Sequence, residues 1–164
     1  MFVSVTAALL LAAPAAPADL PQDGKLYTLK AVHSGKALAP EVDGVGVVQA
    51  ELKAGDVAQQ WKFVKTGEFY RVVHGKSGKA VEVPENAEDA TPLALSAAKD
   101  AGDRQLWTLT KGDKGFTLKS KATGKVWDIE GVSGDDGAKL IQYPAKEGDD
   151  AANQTFELVP AEAK

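Results

Sequence analysis

A Ser/Thr-Gly-Lys triplet occurs three times in this chain, at Ser34-Gly35-Lys36, Ser77-Gly78-Lys79 and Thr123-Gly124-Lys125, with spacings of 43 and 46 residues. Seven residues before each triplet stands an aromatic (Tyr27, Tyr70, Phe116), and two residues after that aromatic an aliphatic (Leu29, Val72, Leu118). Late in each unit comes Gln-x-aromatic: Gln59-Gln60-Trp61, Gln105-Leu106-Trp107 and Gln154-Thr155-Phe156. The aromatics of this second signal lie 46 and 49 residues apart, so two interleaved signals share one period. A unit this short cannot bury its apolar face alone, so three copies must close on a common core. The units run over about 25–66, 67–112 and 113–159.

Within each unit the apolar spacing is that of short strands. Tyr27-Thr28-Leu29, Phe69 to Val73 and Phe116-Thr117-Leu118 alternate large apolar with polar residues, the period of a half-buried strand. The Gly-Lys triplets read as hairpin turns, because glycine reaches positive φ without a Cβ clash. Short apolar runs follow at Ala37-Leu38, Ala80-Val81 and Val126-Trp127, then at Val47-Val48, Leu93 to Leu95 and Leu140-Ile141. The last strand of each unit begins at Trp61, Trp107 or Phe156. About four strands per unit, twelve in all and no strong helical stretch predict an all-β barrel or sandwich. Trp61, Trp107 and Phe156 are the expected central filling.

Residues 1–18 carry no charged side chain, and Ala16-Pro17-Ala18 is a small-residue cleavage pattern before Asp19. The segment reads as a secretory signal peptide cut after Ala18, which leaves 19–164 as one domain. It is too short to span a bilayer comfortably, so no membrane span is expected. The chain has no cysteine, which excludes a disulfide scaffold, a thiol nucleophile and cysteine-based zinc sites. Export without cysteine fits a secreted, periplasmic or cell-envelope protein held together by packing alone. With 19 Lys and Arg against 23 Asp and Glu, the chain lacks the basic footprint of a nucleic-acid binder.

Three Gln-x-Trp-type units, each with a preceding Gly-Lys turn, resemble a ricin-type (ricin B-like, QxW) β-trefoil lectin domain over about 25–159. The third unit is the closest match, through Gly124 to Ile129, Leu140 to Pro144 and Asn153 to Phe156. The resemblance implies a β-trefoil of pseudo-three-fold symmetry and a secreted, non-catalytic, lectin-like module that needs no cofactor. It also implies shallow sugar pockets for galactose- or xylan-type carbohydrate. In that family an Asp after the turn accepts hydrogen bonds from two adjacent sugar hydroxyls. A later aromatic stacks on the pyranose ring, and an Asn with the Gln of Gln-x-Trp completes the polar ring. These residue types suit hydroxyl recognition, since a carboxylate offers two acceptor oxygens and an amide offers both donor and acceptor.

Transferred position by position, the set is complete in the third unit alone: Asp128, Tyr143, Asn153 and Gln154. The first unit has Ala39, Ala50 and Ala58 at the Asp, aromatic and Asn positions, and the second has Glu82, Ser96 and Arg104. Arg104 is expected to pair with Glu82. The third unit departs from the family pattern at Ile141, where many members place a Gln that here stands at 142. It also carries two extra residues in the loop before Asn153. A monomer is expected, and with one competent site per chain cross-linking or agglutination would require self-association. A second class of function stays open, in which the trefoil binds or inhibits a protein partner and the lectin residues are a relic.

Other constellations carry less. The acidic turns Asp135-Asp136-Gly137 and Gly148-Asp149-Asp150 do not match a calcium loop and read as solvated, so no metal site is expected. His33 and His74 sit just ahead of their turns with no evident Ser or Asp partner in sequence, which leaves a nucleophilic triad unsupported. No pair of carboxylates is singled out for glycoside hydrolysis. The lysine-rich stretch 111–125 reads as a solvated hairpin surface.

Overall fold

The structure, a computed structural model, describes residues 20–99 and 102–161. The expected signal peptide lies outside the described residues. Twelve strands follow one another: β1 (Leu26–Ala31), β2 (Ala37–Pro40), β3 (Val47–Ala50), β4 (Gln60–Thr66), β5 (Phe69–His74), β6 (Lys79–Glu82), β7 (Ala94–Ala97), β8 (Trp107–Lys111), β9 (Phe116–Ser120), β10 (Val126–Ile129), β11 (Leu140–Tyr143) and β12 (Phe156–Pro160). Every run read as a strand from the alternation is one. Missing from that reading are the 3-10 turns just before each Gln-x-aromatic, at Val57–Gln59, Asp103–Gln105 and Gly148–Gln154, and a further one at Glu130–Val132.

Strand pairing closes a six-stranded barrel. β1 pairs β4, β4 pairs β5, β5 pairs β8, β8 pairs β9, β9 pairs β12 and β12 returns to β1, all antiparallel. The remaining strands form three hairpins, β2–β3, β6–β7 and β10–β11. Single bridges tie those hairpins to one another at Gly46 and Ala94, Val48 and Lys139, and Pro92 and Ile141. A closed barrel with a triplet of hairpins is the β-trefoil that the family resemblance implies, and closure removes the barrel's sheet edges. The pseudo-three-fold axis is visible in the register, where Tyr27 faces Trp61, Tyr70 faces Trp107 and Phe116 faces Phe156.

The recurring triplet has a backbone explanation. The glycine N–H donates to the carbonyl four residues back, from Gly35 to Ala31, Gly78 to His74 and Gly124 to Ser120. These glycines hold φ of 70°, 70° and 71°, where a Cβ would crowd the backbone. The preceding hydroxyl of Ser34, Ser77 or Thr123 accepts from the following lysine N–H at 3.3–3.4 Å. Hydroxyl and glycine are therefore both required by the turn.

Trp61, Trp107 and Phe156 are fully buried, as expected, and a third tryptophan joins them. Trp127 lies between Trp107 and Phe156 in two edge-to-face contacts, with ring centroids 5.3 and 6.0 Å apart. Its counterparts in the other units are Leu38 and Val81. The third unit thus moves aromatic bulk from the Gln-x-aromatic position, where it has Phe, to the post-turn strand. Trp61 and Trp107 donate their indole N–H to the carbonyls of Leu38 and Val81. The Trp127 N–H has no partner among the described residues.

Hydrogen bonds also lock the hairpins in a cycle, two links through side chains and one through the backbone. Gln49, from the first unit, is fully buried and donates to the carbonyls of Ser133 and Asp135 in the third. Gln142, from the third, is equally buried, donates to the carbonyl of Glu88 in the second and accepts from Thr123. The second unit has Leu95 here, and its backbone N–H donates to Val45 of the first. Gln142 is therefore committed to the scaffold and does not stand in for the glutamine that Ile141 replaces.

Candidate functional site

The Gln of each Gln-x-aromatic clips a loop before it serves anything else. Gln59 accepts from the Lys53 N–H at 2.9 Å and donates to the Glu51 carbonyl at 2.7 Å. Gln105 does the same with Lys99 and Ala97, and Gln154 with Lys146 and Pro144. The third loop is two residues longer, and the extra length lies in the seven-residue 3-10 segment Gly148–Gln154. Asn153 and Gln154 end that segment, which sets both amides beside β10.

Asp128, Asn153 and Gln154 converge. Asn153 Nδ2 donates to Asp128 Oδ1 at 2.7 Å, and Gln154 Nε2 donates to Oδ2 at 2.8 Å. The second amide hydrogen of each goes to a carbonyl, Ile129 for Asn153 and Pro144 for Gln154. The carboxylate is thereby fixed in plane by two amide donors, one on each oxygen. Tyr143, at the end of β11, is 37% exposed. Of the four residues expected from the sequence, Asp128, Asn153 and Gln154 are in direct hydrogen-bond contact, while Tyr143 stands on the paired strand two residues along in register.

A fifth residue, Lys146, was not expected. Its Nζ lies 3.0 Å from Asp128 Oδ2, 3.2 Å from Asn153 Oδ1 and 5.3 Å from the centre of the Tyr143 ring. Under this ammonium Asp128 is only 2% exposed. The depression beside it is lined by Val132, Lys146, Glu147, Asp149 and Asp150. Every unit has a lysine here, since Lys53 and Lys99 make the same backbone bond to their glutamine. That regularity was the available sequence signal.

The other units are differently built. Glu82 accepts from Gln105 Nε2 at 2.6 Å and pairs with Arg104 at 3.4 Å, as expected, while Arg104 also reaches Glu85 at 2.9 Å. The first unit's alanines leave Gln59 with no side-chain acceptor at position 39. Among the described residues no three His, Asp or Glu side chains are grouped to hold a metal, and no helix is long and apolar enough to cross a membrane. Lys114, Lys121 and Lys125 pair with Asp149, Asp103 and Asp89 at the surface.

His74 does have a serine partner that sequence spacing concealed. Its Nδ1 is 2.9 Å from Ser77 Oγ, and its Nε2 faces the Ala58 carbonyl rather than a carboxylate. No acid orients the ring, so the pair is a turn contact. Burial against Trp61 holds the imidazole below the usual histidine value of 6.5, and the Lys76 charge adds to this against the opposing Ala58 bond. The unfolded chain then takes up a proton that folded His74 refuses. His74 is expected to leave stability intact above about pH 6.5 and to erode it as the pH falls below. Denaturant titrations from pH 8 to 5 check this, with His74→Gln flattening the slope.

The family model for ricin-type β-trefoil lectin domain-like proteins matches residues 18–96 and 98–164. No curated protein matches the chain by sequence. Among solved structures, a designed three-fold symmetric protein, ThreeFoil, is 35% identical, with a TM-score of 0.74 over 82% of this chain and 97% of its own. An exo-β-1,3-galactanase from Clostridium thermocellum is 28% identical, with a TM-score of 0.72 over 84% of this chain but only 30% of the enzyme. A Macrolepiota procera ricin B-like lectin, solved with lactose, is 19% identical and shares the fold at a TM-score of 0.74, over 87% of this chain and 99% of its own.

Proposed function

The chain belongs to the ricin-type β-trefoil lectin domain-like family, and on that footing we propose that it is an exported, non-catalytic carbohydrate-binding module whose sugar site is the third unit. The observation that carries this is the convergence of Asn153 and Gln154 on the two oxygens of Asp128 beside the exposed Tyr143 ring. In the sugar complex two neighbouring hydroxyls donate to the preoriented carboxylate, and the ring covers the C–H face of the pyranose. Amides fixed before the ligand arrives spare it the cost of ordering them. Galactose-type sugar is supported by the family and by the galactanase and lactose named for two similar structures. The apolar segment 1–18 supports export.

Tyr143→Ala is the cleanest test, because Tyr143 lies at the surface and outside the amide–carboxylate network. The variant is expected to lose at least about tenfold in affinity for an immobilised glycan retained by the wild type. Its unfolding free energy should stay within about 0.5 kcal/mol. A wild-type chain that retains no glycan would overturn the proposal. It would favour the second reading, a protein partner, for which the exposed Val42, Val45, Leu52 and Val57 of the first unit are the supporting observation.

A further inference from the structure

We infer that the third-unit site selects a sugar bearing a free amine, an aminohexose in its ammonium form. The inference rests on the carbohydrate reading above and names the ligand class of that same site. Lys146 supplies the argument, because the site already holds an ammonium. Asp128 Oδ2 and Asn153 Oδ1 approach its Nζ at 3.0 and 3.2 Å, and the Tyr143 ring faces it at 5.3 Å. A carboxylate oxygen, an amide oxygen and an aromatic face share one property, attraction for a cation.

The lysine is not what builds this arrangement. Lys53 and Lys99 stand at the same place in their units for the same backbone bond. In the first unit position 39 is alanine, and in the second Glu82 is taken by Arg104. The third unit alone gathers these acceptors around the lysine, and the side chain fills them because it is tethered within reach. Its ammonium is a stand-in for a ligand group.

Exchange then decides selectivity. A neutral sugar must replace an ion pair by a hydrogen bond from an uncharged hydroxyl, whereas an aminohexose replaces ammonium by ammonium. Either ligand finds the site open only in the fraction of molecules whose Lys146 has swung out, so the tethered amine lowers every apparent affinity by that fraction. The rim works in the same direction. Glu147, Asp149 and Asp150 border the depression, with Lys146 the one cation among its described lining residues, a field that draws cations and repels uronic or sialic acids.

The test is calorimetric titration of the full chain and its Lys146→Met variant with galactosamine, N-acetylgalactosamine and galactose. Wild type is expected to bind galactosamine at least tenfold more tightly than the other two. Lys146→Met should bind galactosamine at least tenfold more tightly than wild type does. Equal or tighter binding of galactose overturns the amine inference and leaves the carbohydrate reading standing. So does a galactosamine affinity that Lys146→Met leaves unchanged. Failure of all three sugars with both proteins overturns the amine inference, and retention on immobilised glycans then decides the carbohydrate reading separately. The wild-type ranking needs no variant and decides the question even if Lys146→Met does not fold.

Discussion

Trp127→Ala is expected to destabilise the protein by about 3–5 kcal/mol, the range for removing a large aromatic from a packed core. Trp127 is fully buried and touches both Trp107 and Phe156 edge to face. The two ring contacts add about 0.5–1.5 kcal/mol each to the area buried. Trp127→Leu imitates the first unit's Leu38, yet it should still leave a void, because Phe156 is smaller than the Trp61 that Leu38 packs with. Its expected cost is intermediate. Urea unfolding with an unchanged m-value checks both. A loss below about 1 kcal/mol for Trp127→Ala would mean that the third unit does not lean on this ring.

Asp128→Ala is expected to remove both sugar binding and a share of the stability. It strands one amide hydrogen on Asn153 and one on Gln154, each donor now facing Asp128 at 2.7–2.8 Å. A buried donor left without its acceptor costs roughly 1–3 kcal/mol. The first unit indicates how that loss can be relieved. Its Ala39 is accompanied by Ala58, so neither the carboxylate nor the asparagine is there to be orphaned. Asp128→Ala combined with Asn153→Ala should therefore cost less than the sum of the two single changes. A double-mutant cycle on unfolding free energy measures this coupling. Strict additivity would mean that the amide does not depend on the carboxylate.

Strands and turns were legible because their causes are local and recur. Alternation marks a strand, and the Ser/Thr-Gly-Lys turn needs its hydroxyl and glycine whatever surrounds it. Three copies then left a shared core as the arrangement able to bury three small apolar faces. Trp127 escaped, because its depth follows from the smaller Phe156 opposite it, a compensation between strands distant in sequence. The role of Gln142 escaped for a related reason, since its partner, the Glu88 carbonyl, belongs to another unit. At the site, position matching picked out Asp128, Asn153 and Gln154, which the fold brings into hydrogen-bond contact. Lys146 is held by its backbone N–H to Gln154, and its approach to Asp128 joins residues eighteen apart, which only the fold brings together.

The pairing of β1 with β12 has one further consequence. These strands run in register from Tyr27 opposite Pro160 to Ala31 opposite Phe156, and the Ala161 N–H reaches the Leu26 carbonyl. The first strand and the last are thus neighbours in the ring, and the barrel has a seam where the polypeptide enters and leaves. Joining the two sides of that seam with a short linker and opening the chain at Gly67, between β4 and β5, would preserve every strand in its place. The equilibrium fold is therefore indifferent to which of the three units is translated first. That order bears only on the path, since it decides which pair of strands must find each other across the longest stretch of unfolded chain.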